Sequence, residues 1–122
     1  MNGVFIRETG AHYASAIVQG WKPIETRTRH TLRQLVGERV AVVRTGCKGG
    51  PVVIGYVTIS KAEFVAADDL DGMRDLTLIP KGSRYDCTGA GKWCYTMTDP
   101  EECEPFPLPT DAVRHGRVWC EF

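Results

Sequence analysis

The sequence has no long hydrophobic run and no excess of charge of either sign. Its 122 residues carry 15 basic and 15 acidic side chains, and no apolar stretch approaches the ~20 residues that a membrane-spanning helix needs. A protein of zero net charge has no overall field that would draw it to duplex DNA or to an anionic membrane. These absences argue against a membrane-spanning segment, and they require any nucleic-acid site to be a local cluster of basic side chains.

The sequence also lacks the cysteine and histidine spacings of a metal site or a disulfide framework. Its cysteines are odd in number and never spaced C-x-x-C. They are Cys47, Cys87, Cys94, Cys103 and Cys120. We therefore expect reduced thiols, with no metal and no cofactor. The N-terminus has no basic start followed by a long apolar stretch, so no secretory signal and a cytoplasmic location are expected.

The remaining pattern predicts one small domain, residues 1–122, built mainly from strands. Strands are predicted at 4–6, 24–29, 38–44, 52–60, 93–97 and 117–122, and short helical stretches at 11–19, 32–36 and 62–67. Gly55 predicts a bulge or a close backbone approach, while Pro105, Pro107 and Pro109 restrict their stretch to a sheet edge. About five or six strands with two or three short helices indicate an α+β fold, a small mixed β-barrel.

The most informative stretch is Gly20–Arg29, where a helix is predicted to give way to a strand. Gly20 is suited to the left-handed conformation that ends a helix, and Pro23 forces an extended backbone before it. Side chains alternate between the two faces of a strand, so Glu25, Arg27 and Arg29 are predicted to share one face. The opposite face, formed by residues 24, 26 and 28, can then be buried.

This arrangement resembles the ASCH domain (activating signal cointegrator homology), a member of the PUA-like superfamily. The resemblance rests on Tyr13–Ile17 leading into G-x-K-x-I-E-x-R at 20–27, followed by the segments 37–42 and 53–57. It implies a PUA-like barrel with a cleft in which single-stranded RNA or a nucleotide binds. The implied lining is Lys22, Glu25 and Arg27, with a basic rim formed by Arg29, His30 and Arg33.

The chemistry of these side chains suits such a cleft. Lys22 and Arg27 can pair with phosphate, while Glu25 can accept hydrogen bonds from a base edge or hold Arg27 in place. Aromatic side chains can stack on an unpaired base, and the candidates are Trp21, Tyr85 and Trp93. The alternative interpretation is that Glu25 and Arg27 form an ordinary ion pair on an exposed strand face.

Three further functions are compatible with the sequence. ASCH-like amidohydrolases that deacylate N4-acetylcytidine use a lysine, a threonine three residues later and a downstream glutamate. Lys22 matches that lysine, but Glu25 stands where the threonine is expected, and Glu63 is the candidate downstream acid. In this scheme Trp21 desolvates Lys22 and lowers its pKa, so that Lys22 acts as base or nucleophile with Glu25 shuttling a proton.

The second alternative is a ribonuclease that cuts single strands, with Lys22, Arg27, Lys48 and Tyr85 as its candidate groups. The third is a protein-interaction module in which the stretch 105–109 and the tryptophans contact an unidentified protein partner. The sequence alone leaves open whether the chain is an enzyme.

Overall fold

The fold is one strongly curved β-sheet with short helices, seen in a computed structural model that describes all residues 1–122. The strands are β1 (Asn2–Arg7), β2 (Ile24–Arg27), β3 (Arg39–Thr45), β4 (Val52–Ala66), β5 (Gly91–Pro107), β6 (Val113–His115) and β7 (Trp119–Glu121). The helices are α1 (Tyr13–Val18), α2 (Ala67–Asp71) and α3 (Arg74–Thr77), and a 3-10 turn covers Arg33–Leu35. The α+β class with short helices is therefore confirmed.

The sheet is open rather than a closed barrel. Its strand order is β2-β5-β4-β3-β1-β7-β6, with β1 and β3 parallel and every other pair antiparallel. No backbone ladder joins β2 to β1 or to β6, so the predicted closed barrel is wrong. Instead, a side chain spans the gap, because Arg27 Nη2 donates a hydrogen bond to the carbonyl oxygen of Phe5 on β1 at 2.9 Å.

We call the gap between β2 and the Phe5–Arg7 half of β1 the seam. Strand β7 pairs with β1 only at Asn2, Gly3 and Val4, so the rest of that edge of β1 has no neighbouring strand. The sheet curves until β2, which lies at its far end, approaches this free half of β1. The seam is therefore the place where the sheet nearly closes and fails to do so.

Two apolar clusters hold the sheet in this shape, one on each face. The larger cluster packs α1 against the strands and includes Ile17, Val57 and Tyr95. The smaller cluster includes Phe5 and Val53. Each fully buried aliphatic side chain of this kind contributes about 1.5–3 kcal/mol to stability.

The turn from α1 into β2 follows the sequence prediction. Gly20 has a φ of +84° directly after the helix, and Pro23 precedes a strand that begins at Ile24. The predicted hairpin of β3 and β4 also forms at the centre of the sheet. Together these elements deliver Lys22 and the side chains of β2 to the seam.

Two other segments differ from the sequence prediction. The stretch 62–67, predicted to be helical, is strand as far as Ala66, because β4 continues along β5 with Ala62 opposite Tyr95 and Phe64 opposite Trp93. Ladder pairing outweighs a weak local helix preference. Strand β6 was not predicted, since its three residues are all exposed and carry no hydrophobic alternation.

The prolines near the end of β5 lie at a sheet edge, as predicted. Pro107 pairs with Val52 of β4, and Pro105 lies where the β4–β5 register shifts; β2 does not reach either, because it covers β5 only from Trp93 to Thr96. Proline has no backbone N–H to donate, so it is tolerated where no second neighbour needs one.

None of the helices is long and apolar enough to cross a membrane.

Candidate functional site

A cleft of about 530 Å³ occupies the seam. One wall is the free half of β1 and another is β2. The loop between β3 and β4, the segment around Ile79 and Tyr85, and the turn between β6 and β7 complete it. The cleft thus collects residues from near both ends of the chain and from its middle.

The charge of the cleft differs sharply from that of the whole protein. Its lining carries the basic side chains of Arg7, Lys22, Arg27, Arg114 and Arg117, and its only acidic side chain is that of Glu25. The protein as a whole has a formal net charge of +0. A concave surface lined by one sign of charge concentrates ligands of the opposite sign. The cleft is therefore built to attract an anion.

The arginines at the mouth of the cleft have no acidic partners. None of the ion pairs in the structure involves Arg7, Arg114 or Arg117. Arg7 Nε donates to the Thr9 hydroxyl at 3.1 Å, and the Arg114 guanidinium lies 5.7 Å from the ring centroid of Phe5. Their guanidinium groups thus retain donors for a phosphate or carboxylate.

The floor of the cleft is a buried chain of alternating charges. Lys22 Nζ lies 3.7 Å from Glu25 Oε1, and Arg27 Nη2 lies 3.0 Å from Glu25 Oε2. The Lys22 side chain is 0% exposed and that of Glu25 only 11%. Lys22 also donates a hydrogen bond to the carbonyl oxygen of Thr77, and its ammonium lies 4.7 Å from the ring centroid of Tyr13.

Burial changes the proton affinities of this floor. Desolvation lowers the pKa of Lys22, while the neighbouring Glu25 opposes that shift and Arg27 adds to it. Desolvation raises the pKa of the Tyr13 hydroxyl, and the charge of Glu25 raises it further. A lysine with a lowered pKa gives up its proton more readily than an exposed one, which is the property a general base needs.

Two tyrosine rings lie beside the charged floor of the cleft and form an aromatic wall. The rings of Tyr13 and Tyr85 meet edge to face with centroids 5.8 Å apart, and both line the cleft. The Tyr85 hydroxyl is buried and has no hydrogen-bond partner within the protein. Since a buried polar group normally has a partner, this hydroxyl is suited to a ligand atom or an ordered water.

The segment 67–90 supports this wall through Arg74. The Arg74 guanidinium donates to Asp71 at 2.9 Å, to the carbonyl oxygen of Ile79 at 2.9 Å and to Asp86 at 3.2 Å. Backbone donation from Gly82, together with Arg74 and the amide of Cys87, lowers the pKa of Asp86 to about 2. Asp86 therefore stays ionised at any physiological pH, which keeps the segment attached beside Tyr85.

Four of the sequence-predicted site residues meet in the cleft: Lys22, Glu25, Arg27 and Tyr85 all line it. Trp21 does not line the cleft and is 71% exposed. The contacts around the Lys22 ammonium come from Thr77, Glu25 and Tyr13, so the predicted desolvation by Trp21 is replaced by burial against other residues.

The remaining candidates lie outside the cleft. Arg29 is exposed in a bend beyond the end of β2, and Arg33 is exposed on the 3-10 turn. His30 stacks on Trp93 with ring centroids 3.9 Å apart, which covers a face of the tryptophan. Lys48 belongs to the loop that borders the cleft but does not line it, and Glu63 lies 3.7 Å from Lys61 on the surface of β4. The structure therefore does not bring the predicted basic rim to the cleft. Of the four groups of the ribonuclease hypothesis, Lys22, Arg27 and Tyr85 line the cleft and Lys48 does not.

The residues that sequence reasoning missed are the mouth arginines, Tyr13 and the loop Thr45–Pro51. The only local signal was a pair of arginines, Arg114 and Arg117, flanking a glycine turn. Nothing in the sequence placed this turn beside β1, because the β1–β7 pairing joins opposite ends of the chain.

The cysteines offer a test of the cleft's exposure. Cys47 is exposed at the cleft, whereas Cys94 and Cys120 are buried, and all five cysteines are free thiols. Burial raises the pKa of Cys94 to about 11 and also raises that of Cys120. Because the thiolate is the reactive form, we expect alkylation near neutral pH to modify Cys47 at least tenfold faster than Cys94 or Cys120. Peptide mass spectrometry measures this, and equal rates would contradict the burial described above.

No protein-family model matches the chain, and no curated protein matches it in sequence. Solved structures do match. The crystal structure of ZmASCH from Zymomonas mobilis superposes with a TM-score of 0.66 at 17% identity, covering 87% of this chain and 73% of that one. Two ZmASCH mutant proteins give TM-scores of 0.68 and 0.67 at 18% and 21% identity, with 87% of this chain and 76% and 74% of theirs covered. The chain therefore has an ASCH-like fold, which confirms the resemblance seen in the sequence at the level of the fold.

Proposed function

We propose that the cleft binds a nucleotide unit, either free or within single-stranded RNA. The observation that carries the proposal is the charge of the lining, five basic side chains around a single carboxylate in a protein whose formal net charge is +0. Phosphate is the ligand group that an array of arginines with free donors binds best. The ASCH-like fold is compatible with this function but does not specify it.

The size and walls of the cleft also suit a nucleotide. Its volume of about 530 Å³ falls within the ~300–1,000 Å³ typical of small-molecule sites. Tyr13 and Tyr85 provide aromatic surface near the floor, and the Tyr85 hydroxyl provides a polar atom without a partner. The mouth arginines then meet the phosphate while the base lies deeper.

Removing one mouth arginine should weaken binding and reduce its salt dependence. We expect Arg117→Ala or Arg7→Ala to lower the affinity for a short single-stranded RNA about fivefold to tenfold, or ~1–1.4 kcal/mol. Each loss should reduce the slope of log affinity against log salt by ~0.7, the value for one phosphate contact on a single strand. Fluorescence anisotropy across a salt series measures both quantities.

Lys61→Ala is the matched control for these variants. Lys61 is an exposed cation whose only ion pair is with Glu63, and it lies outside the cleft. The Lys61→Ala variant should bind single-stranded RNA with the affinity of the wild type, and with the same slope of log affinity against log salt, within error. Binding that responds equally to the loss of Lys61 and of Arg117 would place the ligand elsewhere. If bound RNA slows the alkylation of Cys47, this independently locates the RNA at the cleft.

A second candidate function is hydrolysis of an acylated nucleoside in the same cleft. The observation favouring it is Lys22, whose pKa is lowered by burial and whose ammonium lies 3.7 Å from a carboxylate. Such a pair can exchange a proton during acyl transfer. Against it, the Lys22 side chain is 0% exposed and bonded to the carbonyl of Thr77, so a substrate reaches it only by displacing that contact.

A turnover assay separates catalysis from binding alone. If the cleft hydrolyses acylated cytidine, Lys22→Met should reduce turnover by about a hundredfold or more, since positioned acid–base groups contribute ~10²–10⁴. Chromatography of the nucleoside products measures the rate. Turnover that survives in the Lys22→Met variant excludes Lys22 as the working group, and saturable binding without any product supports the binding function.

A further inference from the structure

Glu25 has one oxygen committed to the protein and one available. Its Oε2 accepts from Arg27 Nε at 3.1 Å and lies 3.0 Å from Arg27 Nη2. Its Oε1 is paired only with Lys22 Nζ, at 3.7 Å, and the same ammonium donates a hydrogen bond to the Thr77 carbonyl, so Oε1 keeps acceptor capacity for a ligand. A carboxylate that lines a cleft in this way offers a single acceptor oxygen to a ligand.

We infer that Glu25 makes the cleft selective for nucleotides whose base carries an exocyclic amino group at the ring position where uracil and hypoxanthine carry a carbonyl oxygen, namely cytosine and adenine. This inference rests on the proposed function and names its substrate class. An ionised carboxylate only accepts hydrogen bonds, so it attracts an amino group and repels a carbonyl oxygen at the same position. Uracil and hypoxanthine carry that carbonyl, and their ring N–H lies directly beside it.

Guanine is disfavoured for the same reason as hypoxanthine, because it carries a carbonyl oxygen at the position of the adenine amino group. Arg27 is paired with Oε2 of Glu25 and also donates to the Phe5 carbonyl across the seam, so Oε1 is the oxygen that faces this choice.

The positions of the other charged side chains determine which end of the bound nucleotide lies at the mouth of the cleft and which lies at its floor. Arg7, Arg114 and Arg117 are free of acidic partners and belong to β1, β6 and the β6–β7 turn, whereas Glu25 lies on β2 with its side chain 11% exposed. Phosphate beside Glu25 would meet a like charge, and an amino group among the arginines would meet a row of donors. The phosphate therefore lies at the mouth and the base edge at the floor.

Matched nucleotide pairs test the inference on the unmodified protein. Calorimetric titration with CMP and UMP, and with AMP and IMP, compares ligands that differ at the exocyclic position while sharing the phosphate. We expect CMP and AMP to bind about tenfold more tightly than UMP and IMP, since a site that accepts a hydrogen bond rejects an analogue lacking the donor. GMP should bind more weakly than CMP.

Two variants test whether the Glu25 carboxylate causes the preference for CMP over UMP. Glu25→Gln presents both a donor and an acceptor, so the ratio of CMP to UMP affinity should fall to within about twofold of unity. Arg117→Ala should weaken both ligands equally and leave the ratio unchanged. Equal affinity of the unmodified protein for CMP and UMP overturns the base selectivity while leaving nucleotide binding intact. Failure of every nucleotide and of single-stranded RNA to bind overturns the proposed function itself.

Discussion

Replacing Glu25 with alanine is expected to lower the free energy of unfolding by about 3–5 kcal/mol, the usual cost of removing one partner from a buried ion pair. Glu25 lies between the ammonium of Lys22 at 3.7 Å and the guanidinium of Arg27 at 3.0 Å. The Lys22 side chain is 0% exposed, so without the carboxylate its charge has neither water nor a counterion. The loss should be measured by urea unfolding.

The pH dependence of this loss has a definite sign. Burial already lowers the pKa of Lys22 in the folded state, and Glu25 opposes that shift. In the alanine variant the folded-state pKa falls further below the unfolded value, so the unfolded chain binds more protons and stability rises with pH. The loss of stability in Glu25→Ala should therefore be largest at pH values below the folded-state pKa of Lys22. It should shrink as the pH rises from that value to the ordinary lysine pKa, and above the ordinary pKa Lys22 is neutral in both states.

Lys22→Met is the control for the buried charge. Methionine replaces the ammonium with an apolar group of similar length, and Glu25 keeps its ion pair with Arg27. Since Arg27 remains as its counterion, Glu25 is not left unpaired, and the change should stay below that of Glu25→Ala, at about 1–3 kcal/mol for the buried Thr77 carbonyl oxygen that loses its donor. If Lys22→Met and Glu25→Ala destabilise equally, the stranded lysine is not the cause.

The second large effect is expected at Gly55 in β4. A Cβ there would lie 2.3 Å from the carbonyl oxygen of Glu101 on β5 and 2.8 Å from Val18 Cγ1 on α1. The pairing of β4 with β5 shifts register at this point, which brings the two backbones close. Gly55→Ala must move either a strand or the helix, and we expect it to cost about 3 kcal/mol, the upper part of the range for overpacking.

Gly89→Ala is the matched control for Gly55→Ala. A Cβ at Gly89 meets nothing within 4 Å, and the residue is exposed in the loop before β5. Its replacement should change stability by no more than about 0.5 kcal/mol. Thermal unfolding should show Gly55→Ala melting lower by roughly 9–15 °C, at ~3–5 °C per kcal/mol, between the values for smaller and larger domains. Equal melting temperatures for the two variants would contradict the close approach at Gly55.

The sequence predicts the floor of the site because the information is local. Gly20 and Pro23 together determine where α1 ends and β2 begins, and the residues between them and Arg27 are adjacent in the chain. Gly55 was likewise informative, because a glycine inside a long apolar strand has few explanations other than a bulge or a close contact. Both inferences required only neighbouring residues and the strand period.

The mouth of the site was not predictable, because its residues are far apart in the sequence. Arg7 and Arg117 lie near opposite ends of the chain, and only the pairing of β1 with β7 brings their segments together. Alternation along a strand also says which side chains share a face but not what covers that face. Glu25 was expected on an exposed or cleft-facing surface, yet it is 8% exposed, and the segment that carries Thr77 and Tyr85 lies against β2, although the sequence predicted no element there.

The error over closure has a similar origin. Strand count and short turns predict a barrel, but closure depends on whether the first and last strands of the sheet meet in register. Here β2 is four residues long and ends at Arg27, and the contact across the gap is made by the Arg27 side chain instead of a ladder. A single side-chain contact of this kind leaves no periodic signal in the sequence.

The seam also means that part of the site is made of peptide groups. Strand β2 pairs only with β5, so its outer edge presents backbone N–H and C=O groups that no strand uses. These groups are the same whatever residues occupy β2. Substitutions of the arginines at the mouth would therefore leave this backbone hydrogen-bonding edge unchanged.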